Sequence, residues 1–461
     1  MAEKDMSYRV ENPATGEVIT TFPTATDDEI QEVLAASEKG FKEWSALDIA
    51  ERKKYVLRIA ELFDERQDEL VEIIGREMGK SRPHAIDEVE LSANIFRYYA
   101  NNGEEFAADR KIESFNGGTA VIRHLPLGAL VGIMPWNFPY YQVARFAAPN
   151  LMNGNSIILK HAEICPESSA AIQKIVEDAG VPAGVYQNVY ASHDQITTMI
   201  EDPRVQGVSL TGSERAGAAV GATAGKNLKK AVLELGGNDP YVLLDTDDVK
   251  AAAELAWETR IYNMGQVCNG NKRMIVMDDI YDEFVDELVK LAEQAKPGTP
   301  EEAGENGIYS PLSSRDAAER LDEQVTRAVK EGATLRAGGG LGDNAYYAPA
   351  VITDLGKDNS VYSEELFGPI ALVFKVSSDE EALDLANDTQ YGLGGAVFSQ
   401  DTERARAIAR QINSGMANVN TPAGEGEEIP FGGVKRSGFG RELGPLGMDE
   451  FVNKQLYFEE D

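Results

Sequence analysis

The sequence predicts an α/β protein built around mostly parallel β-sheets. Short apolar runs typical of buried strands, at residues 129–133, 156–160 and 205–210, alternate with helical patterns at 168–178 and from about residue 213. Strands that alternate with helices of this length form βαβ units, whose sheets bind ligands beyond the carboxyl ends of their strands. A chain of 461 residues is also too long for one ordinary core, so two or three domains are expected.

Helical periodicity dominates the first hundred residues, where apolar side chains recur three and four positions apart at 27–38 and 48–74. These helices are expected to cover a sheet. A second α/β block is predicted from 237 to about 430, with helices of its own at 249–262 and 279–295. We find no internal repeat, so solenoid and propeller architectures are set aside.

Two further segments, 119–127 and 452–458, have the pattern of strands that extend a sheet. The second of them lies at the end of the chain. An apolar strand in that position either pairs with a neighbouring subunit or forms an ordinary edge strand, and the sequence leaves both alternatives open.

The chain is strongly acidic. Its 44 basic and 77 acidic side chains give a formal net charge of −33 at pH 7. This charge repels nucleic acids and anionic lipid surfaces, so neither is expected as a partner. Because the acidic residues are spread along the chain, the excess suits a halophilic surface, where salt screens the self-repulsion. An acidic cytosolic enzyme without such an adaptation is the alternative.

Cysteine usage and the shortness of the apolar segments indicate a cytoplasmic protein. Only Cys165 and Cys268 are present, so the chain cannot build a disulfide framework or a four-thiolate zinc site, and no metal is expected. Residues 1–5 lack the apolar core of a signal peptide. The longest apolar stretches, such as 127–134, fall far short of the ~20 residues that span a bilayer.

Cys268 is the strongest catalytic candidate in the sequence. It ends the run 265–268 (GQVC) and follows the run 234–237 (ELGG). A free cysteine is most often a small buried hydrophobe, which is the expectation for Cys165. Around Cys268, the adjacent glycine and glutamine and the upstream Glu234 are not core-filling residues, and they favour a nucleophile with a base. The histidines form no recognisable cysteine–histidine signature.

Glu234 and Asn137 complete a candidate site for covalent chemistry on a carbonyl carbon. Glu234 follows an apolar strand predicted at 231–233, where burial would raise its pKa toward the range of a general base. The two glycines after it permit close approach of a ligand or of backbone, which favours function over a strand-end cap. In the run 135–139 (PWNFP), aromatic and proline neighbours fix the direction of the Asn137 amide, as an oxyanion donor requires.

The glycine pattern at 212–217 follows a predicted strand and opens a helix, which suits a phosphate at a helix N-terminus. It is not the G-x-G-x-x-G fingerprint of dinucleotide-binding folds. Taken alone, the pattern is therefore a weak dinucleotide signal.

Six motifs occur in an order that resembles the aldehyde dehydrogenase superfamily. They are 135–139 (PWNFP), 210–213 (LTGS), 234–237 (ELGG), 265–268 (GQVC), 364–369 (EELFGP) and 430–433 (PFGG). The resemblance extends from about Tyr8 through Phe451. It implies NAD(P)-dependent oxidation of a small-molecule aldehyde to a carboxylate, by a homodimer or homotetramer.

The resemblance also implies a division of the chain into three parts. A Rossmann-like cofactor domain would comprise 1–107 and 127–236, and an α/β catalytic domain 237–435. A small β oligomerisation arm with the C-terminal segment would comprise 108–126 and 436–461.

Roles in the family's reaction transfer to the matching positions. Cys268 would attack the aldehyde, its own backbone N–H and the Asn137 amide would hold the oxyanion, and Glu234 would activate the water that hydrolyses the thioester. Glu442 matches a family glutamate thought to assist proton transfer, with a surface salt bridge as the alternative. The cofactor-binding positions are Lys160 and Glu163 at the adenosine ribose, Trp136 and Ser213 at the pyrophosphate region, and Glu365 and Phe367 at the nicotinamide ribose and ring, together with Thr211, Gly212 and Gly236.

Glu163 bears on the choice of cofactor. A carboxylate at this position accepts hydrogen bonds from the ribose 2′- and 3′-hydroxyls but repels a 2′-phosphate. The sequence therefore predicts a preference for NAD, with NADP as the other possibility.

Several features resemble the short bacterial succinate-semialdehyde dehydrogenase branch of the family. They are the chain length and the runs 160–162 (KHA) and 216–219 (AGAA). Arg145 matches an arginine that such enzymes use for the substrate carboxylate, and a guanidinium fork suits a carboxylate. A structural ion pair is the alternative role for Arg145.

Two departures favour a broader substrate range. Tyr262 stands where some semialdehyde dehydrogenases have a second arginine, and the run 426–428 (GEE) replaces a serine expected just before Pro430. If Glu427 or Glu428 lines the substrate tunnel, a neutral or cationic aldehyde is favoured. A broad-range aldehyde dehydrogenase is therefore the second hypothesis.

Two alternatives of other classes are a CoA-acylating enzyme and a catalytically silent homologue used for binding or structure. The first usually lacks the deacylating base, so Glu234 favours hydrolysis instead. The second has no need for Cys268, Glu234 and Asn137 together.

Overall fold

The structure of the protein, a computed structural model, describes residues 8–115, 117–304 and 307–460. Residues 1–5, whose composition argues against a signal peptide, lie outside this part of the chain. Its strands are β1 Tyr8–Asn12, β2 Glu17–Phe22, β3 Arg110–Ile112, β4 Thr119–Pro126, β5 Ala129–Met134, β6 Ser156–His161, β7 Tyr186–Asn188, β8 Val205–Thr211, β9 Lys230–Glu234, β10 Pro240–Leu243, β11 Arg273–Met277, β12 Lys296–Pro297, β13 Ile308–Tyr309, β14 Thr334–Ala337, β15 Ala350–Thr353, β16 Ile370–Val376, β17 Ala396–Phe398, β18 Asn418–Val419, β19 Gly438–Phe439 and β20 Val452–Glu459.

Helices alternate with these strands along most of the chain. They are α1 Asp27–Ser45, α2 Ile49–Glu65, α3 Gln67–Met78, α4 Arg82–Phe106, α5 Tyr141–Asn153, α6 Pro166–Asp178, α7 His193–Glu201, α8 Glu214–Lys226, α9 Val249–Ile261, α10 Asp278–Gln294, α11 Arg315–Lys330, α12 Asp379–Asn387, α13 Thr402–Ala409 and α14 Gly444–Gly447. In the described part of the chain, no helix is long and apolar enough to cross a membrane.

The N-terminal helices differ from the sequence prediction in two places. The first helix continues past residue 38 to Ser45, because Trp44 on its last turn is buried and donates its indole N–H to Leu151 O at 2.8 Å. The predicted segment 48–74 is two helices separated at Arg66, where φ is −110° and ψ is 15°. Apolar residues recur on both sides of this break, so the periodicity did not reveal it.

A six-stranded sheet in the order β19-β9-β8-β5-β6-β7 confirms the first predicted α/β block. All its pairings are parallel except that of β19 with β9. The chain starts at the central β5, adds β6 and β7 on one side, and then returns to add β8 and β9 on the other. The topological switch therefore lies between β5 and β8, where such sheets form a ligand crevice beyond their carboxyl ends.

A seven-stranded sheet in the order β14-β15-β16-β11-β10-β17-β18 confirms the second predicted block. Only β14 and β15 pair antiparallel. Two helices whose ends fall within one residue of the expected bounds, α9 and α10, pack on it through a core that includes Trp257 and Phe284. One link between the two sheets runs from Glu234, at the end of β9, to Pro240, at the start of β10, and another runs from β18 back to β19.

The two segments predicted to extend a sheet pair with each other. β4 and β20 are antiparallel along their whole length, from Val452 opposite Pro126 to Glu459 opposite Thr119. With β3 on the other side of β4, they form a three-stranded sheet in which β20 is an edge strand. The C-terminal strand thus has a partner within its own chain, far away in sequence, and its outer edge is left unpaired among the described residues.

Candidate active site

Cys268 follows a strained turn between α9 and β11. Three consecutive residues have left-handed backbone angles, with φ of 48° at Asn263, 55° at Met264 and 69° at Gly265. Such angles are costly for residues with a side chain and are concentrated at functional sites. Gly265 also lies so close to its neighbours that a Cβ would be 2.2 Å from Gly368 O. The glycine of the GQVC motif is therefore required by both conformation and space.

A buried guanidinium holds this turn in place. Arg260, at the end of α9, is fully buried and donates hydrogen bonds to Gly265 O at 3.2 Å, Ile370 O at 2.7 Å and Leu366 O at 2.8 Å, and also to Gly368 O. Burial lowers the pKa of Arg260 to about 10, so it remains charged at neutral pH. These hydrogen bonds join the turn before Cys268, the predicted nucleophile, to the segment that contains the EELFGP motif.

The Cys268 thiol is surrounded by charges of both signs. Burial raises the pKa of this thiol to about 11, while the positive charges of Arg145 and Lys272 act in the opposite direction. The carboxylates of Glu365 and Glu234 also face the thiol and raise its pKa. The structure thus brings the predicted nucleophile and the predicted base into one electrostatic environment.

Asn137 follows β5, at the predicted carboxyl edge of the sheet, and is 4% exposed. Its amide Nδ2 donates to Gln266 O at 3.0 Å, next to the nucleophile. Its backbone carbonyl accepts from Lys80 Nζ at 2.8 Å and from Asn263 Nδ2 at 2.9 Å. Since Nδ2 carries two hydrogens, one N–H remains for a substrate oxygen while the other fixes the side chain.

The Lys80 ammonium that holds Asn137 belongs to a buried ion pair. Lys80 contacts Glu88, and both side chains are inaccessible to solvent. Glu88 in turn accepts hydrogen bonds from the backbone N–H groups of Tyr140 at 2.8 Å and Tyr141 at 3.2 Å, at the start of α5. This network orients the PWNFP loop against α4, which the sequence did not indicate.

Glu234 ends β9 with a carboxylate that is buried and finds no hydrogen-bond partner in the described part of the chain. Burial raises its pKa well above the usual range, Arg145 lowers it, and the neighbouring Glu442 raises it further. Gly432 of the PFGG motif packs against the carboxylate, since a Cβ there would be 2.6 Å from Glu234 Oε1. A buried carboxylate with no partner is a suitable base for a water molecule.

The ELGG motif also connects Glu234, the predicted base, to Cys268, the predicted nucleophile. A Cβ on Gly237 would be 2.5 Å from Cys268 O, so the two backbones are in direct contact. A Cβ on Gly236 would be 2.3 Å from Glu365 Oε2, and Gly237 N donates to Glu365 Oε1 at 3.1 Å. The two glycines allow close approach of backbone and of Glu365, as the sequence predicts.

Arg145, on α5, is fully buried and forms an ion pair with Glu442. Its Nη2 lies 3.3 Å from Thr211 Oγ1 and its Nη1 lies 3.4 Å from the Tyr141 hydroxyl, and both contacts are long. Burial raises the pKa of Glu442, and the charge of Arg145 opposes that shift. The ion pair of Glu442 is internal, with 5% exposure, rather than the surface salt bridge considered as its alternative.

Three predicted cofactor residues surround one cavity. The rings of Trp136 and Phe367 are 5.7 Å apart, and with Glu365 they line a cavity of about 350 Å³ closed on the other side by α11. Glu365 is held by Gly237 N and by Lys272 Nζ at 2.9 Å. Aromatic faces with a fixed carboxylate suit a ribose and a flat ring, so these residues fit a nicotinamide cofactor.

Thr211, Gly212 and Ser213 lie at the carboxyl end of β8, beside the topological switch. Ser213 caps α8 by accepting from Ala216 N at 3.3 Å, and Gly212 N donates to Glu234 O at 2.9 Å. A capped helix start at this edge suits a pyrophosphate.

Lys160 and Glu163 lie apart from the thiol, at the carboxyl end of β6. They form an ion pair of 2.5 Å, in which the Glu163 side chain is 36% exposed. Burial raises the pKa of Glu163, but the charge and hydrogen bond of Lys160 outweigh that effect and lower it below the usual value. Glu163 is therefore an anion at neutral pH.

Three rings pack together beside the turn that precedes Cys268: those of Tyr262, of His84 and of Phe138, which belongs to the PWNFP motif. The ring of Tyr262 lies 4.1 Å from that of His84 and 6.3 Å from that of Phe138. The carboxylates of Asp87 and Glu425 face the Tyr262 hydroxyl and raise its pKa after the larger effect of burial. Of these two acids, Glu425 lies one residue before the run 426–428, in which the sequence places its candidate acids.

The position of Lys272 also has little signature in the sequence. Its side chain is inaccessible to solvent, and its Nζ contacts Val267 O, Cys268 O and Glu365. The only available signal was a lysine four residues after the cysteine and directly before an apolar strand. Most of its contacts are with backbone oxygens, which have no sequence signature.

Comparison with known proteins identifies the family. The model of the Aldehyde dehydrogenase family matches residues 1–456. The chain therefore belongs to the aldehyde dehydrogenase family and is an NAD(P)-dependent aldehyde dehydrogenase, which acts on small-molecule aldehydes. The predicted family, enzyme class and α/β Rossmann-like fold are confirmed.

Several relatives share nearly the whole chain. A succinate-semialdehyde dehydrogenase from Deinococcus radiodurans, named with NADP(+), is 46% identical over 457 residues, covering 99% of this chain and 95% of the relative. A Mycobacterium tuberculosis protein named succinate-semialdehyde dehydrogenase 1, again with NADP(+), is 39% identical over 446 residues, covering 96% of this chain and 97% of the relative. The crystal structure of succinic semialdehyde dehydrogenase from Streptococcus pyogenes in complex with NADP+ is 41% identical, with a TM-score of 0.95 over 98% of this chain and 100% of that one.

Proposed function

We propose that this enzyme oxidises succinic semialdehyde to succinate through a covalent intermediate on Cys268. The observation behind the substrate is the similarity, over 99% of the chain, to a relative named succinate-semialdehyde dehydrogenase. A buried guanidinium near the thiol agrees with a substrate that has a carboxylate at its far end.

The first half of the proposed reaction forms a thioester. The Cys268 thiolate attacks the aldehyde carbon, and the resulting oxyanion accepts hydrogen bonds from the Cys268 N–H and the free N–H of Asn137. A bound nicotinamide cofactor supplies the acceptor for the hydride that leaves this carbon. Phe367 would hold the cofactor ring, Glu365 its ribose, and Trp136, whose ring lies 5.7 Å from that of Phe367, the adjoining pyrophosphate region.

The second half releases the product. Glu234 removes a proton from water, the hydroxide attacks the thioester, and the carbon–sulfur bond breaks to give the carboxylate and the free thiolate. The Glu234 carboxylate, which has no hydrogen-bond partner among the described residues, supports this role. Glu442 and Arg145 lie next to Glu234, so the proton has a second buried carboxylate to which it can pass.

Arg145 is proposed as the residue that binds the substrate carboxylate. Its Nε faces Glu442, whereas its two terminal nitrogens make only long contacts with Tyr141 and Thr211. Two weakly used donors in a planar fork match the geometry of a carboxylate. The rings of Tyr141 and Phe431, with centroids 5.0 and 4.4 Å from the guanidinium carbon, fix its plane.

The direct test compares three aldehydes of equal chain length and different charge: succinic semialdehyde, butanal and 4-aminobutanal. We expect the highest kcat/KM for succinic semialdehyde. Arg145→Met should lower that value by about 10- to 100-fold, the cost of losing hydrogen bonds to a charged group, while the value for butanal changes much less. Equal losses for the two substrates would show that Arg145 acts only as the structural partner of Glu442.

A neutral or cationic aldehyde is the second candidate substrate. The observation that favours it is the pair of carboxylates, Asp87 and Glu425, at the aromatic ring of Tyr262. Arg145 is, moreover, already neutralised by Glu442. If 4-aminobutanal is the best of the three substrates and Glu425→Gln removes its advantage, this candidate replaces succinic semialdehyde.

NAD is proposed as the preferred cofactor, although the relatives named above carry NADP(+) in their names. The proposal rests on the anionic Glu163 beside Lys160. A 2′-phosphate about 4 Å from a carboxylate would be repelled by about 1–4 kcal/mol in surroundings between water and protein. Glu163→Gln should therefore raise kcat/KM for NADP at least about tenfold relative to NAD, and an unchanged ratio would contradict the assignment.

The domain boundaries and the oligomeric state are also proposed. Residues 1–107 with 127–236 form the cofactor domain, 237–435 the catalytic domain, and 108–126 with 436–461 the arm. On the arm, Leu456 and Phe458 are 64% and 51% exposed, which suits burial against another copy in a homodimer or homotetramer. Sedimentation of the purified protein tests this, and a monomer would contradict it.

A further inference from the structure

Lys272 occupies an unusual position beside the nucleophile. It lies four residues after Cys268, directly before β11, and its side chain has no exposure to solvent. Its ammonium contacts Val267 O at 2.8 Å, Cys268 O at 2.5 Å and Glu365 Oε1 at 2.9 Å. These three acceptors match the three donors of the ammonium, so its direction is fixed.

The contact with Val267 O acts on the group that faces the substrate. Val267 O and the Cys268 N–H belong to one planar trans peptide and point in opposite directions. Fixing the oxygen therefore fixes the N–H. In the described part of the chain the Cys268 N–H has no acceptor, whereas Val267 O accepts from Lys272 and, at 3.3 Å, from Gly270 N.

The charge of Lys272 adds a second effect. A charged donor on the carbonyl draws electrons from the amide and makes the N–H at its other end a stronger donor. The effect is large in surroundings that exclude water, as here. An oxyanion that forms in front of the N–H gains from both its direction and its strength.

We propose that Lys272 is a positioning residue that orients and polarises the Val267–Cys268 peptide, so that the Cys268 N–H stabilises the oxyanion. The proposal rests on the cysteine mechanism put forward above. It adds a residue whose action reaches the reacting oxygen through one peptide group, without contact with the substrate.

Arg273, the next residue in the chain, provides a matched control for a purely structural role. Arg273 is also a buried cation bound to backbone carbonyls, Asn238 O at 2.9 Å, Leu385 O at 2.7 Å and Ala386 O at 2.8 Å. None of these three carbonyls belongs to the segment 262–268 around Cys268. Arg273→Met therefore shows what the loss of a buried cation does to this region without disturbing the Val267–Cys268 peptide.

A general electrostatic effect of Lys272 on the thiol must also be distinguished from its proposed effect on the Cys268 N–H. The groups that face Cys268 are Arg145, Lys272, Glu365, Glu234 and Tyr141. Removing one of the two cations makes the thiol harder to ionise and slows every reaction of the thiolate. Only reactions that pass through an oxyanion also depend on the direction of the Cys268 N–H.

Two reactions without cofactor distinguish these effects. Alkylation by iodoacetamide forms a carbon–sulfur bond, releases iodide and develops no oxyanion. Hydrolysis of p-nitrophenyl acetate forms a tetrahedral oxyanion twice, first when the thiolate displaces p-nitrophenolate and again when water releases acetate. Both rates are measured at one pH for the wild type, Lys272→Met, Lys272→Gln and Arg273→Met, with melting temperatures to verify folding.

We expect Lys272→Met to slow ester hydrolysis by about 100-fold, which is the usual effect of losing one oxyanion donor. Alkylation develops no oxyanion and should slow by no more than about tenfold. Lys272→Gln, which keeps a neutral donor, should lie between Lys272→Met and the wild type, and it also serves if the methionine variant does not fold. Arg273→Met should leave the ratio of the two rates unchanged.

Equal slowing of alkylation and hydrolysis in the Lys272 variants would overturn the proposal and leave a general electrostatic role. Equal behaviour of Arg273→Met and Lys272→Met would leave a structural one. Wild-type ester hydrolysis by Cys268→Ala would instead contradict the cysteine mechanism on which the proposal rests, so the two failures are distinguishable.

Discussion

At the scale of single residues, the site combines a thiol that is hard to ionise with a carboxylate that is hard to ionise. Burial is the largest cause of the raised pKa of both Cys268 and Glu234, and the charge of Arg145 lowers both pKa values. Cys268 and Glu234 must each lose a proton during the proposed reaction. Arg145 therefore affects both halves of the cycle, whichever substrate it binds.

The pKa of Cys268 gives a prediction for the enzyme without cofactor. A thiol with a pKa of about 11 is almost fully protonated at neutral pH, and its thiolate fraction rises tenfold for each pH unit below that value. We expect the rate of alkylation by iodoacetamide to keep rising from pH 7 to pH 10. A rate that levels off near neutral pH would show that the cations around the thiol outweigh its burial.

Replacement of Glu234 should separate the two halves of the reaction. In Glu234→Gln the thioester forms but no base activates water, so reduced nicotinamide should appear in one rapid burst per active site. The steady rate should then fall by about 10²–10⁴-fold, the usual contribution of a general base. Rapid-mixing absorbance measures both phases, and a steady rate close to that of the wild type would assign deacylation to another group.

At the scale of elements, the site lies where the carboxyl ends of β5, β8 and β9 meet the turn before β11. The sequence predicted these strands well because each is a short apolar run between turn residues. It also predicted the base, nucleophile and amide as candidates. It did not reveal Arg260 or Lys272, because most of their partners are main-chain oxygens brought close only by folding.

Two glycines provide a matched test of the contact between Cys268 and the segment that follows β9. In Gly237→Ala the new Cβ would be 2.5 Å from Cys268 O and must displace the turn, which should lower kcat by about 100-fold. Gly225→Ala, on α8, places its Cβ in open space and should leave kcat unchanged. Steady-state kinetics of the two variants test this, and equal activity would show that the turn tolerates the shift.

At the scale of the whole molecule, the six-stranded and the seven-stranded sheet meet at the candidate site, and the chain carries a large excess of acidic residues. Both α/β blocks could be predicted from alternating patterns, but the ion pair of Arg145 with Glu442 could not, because it joins helix α5 to a segment after β19. The break at Arg66 was missed for another reason: the apolar period continues across it.

The net charge of −33 predicts a dependence of stability on salt. Repulsion between surface carboxylates is screened over about 10 Å at 0.1 M salt and about 3 Å at 1 M. The melting temperature should therefore rise with KCl across this range. Calorimetry or circular dichroism measures it, and a melting temperature that stays constant or falls would contradict the halophilic interpretation.

The measurement that tests the central claim most directly is the mass of the Glu234→Gln enzyme after mixing with succinic semialdehyde and NAD. The account predicts that one succinyl group is added and that it lies on the peptide that contains Cys268. Formation of reduced nicotinamide without an adduct, or an adduct on the peptide of Cys165, would contradict it.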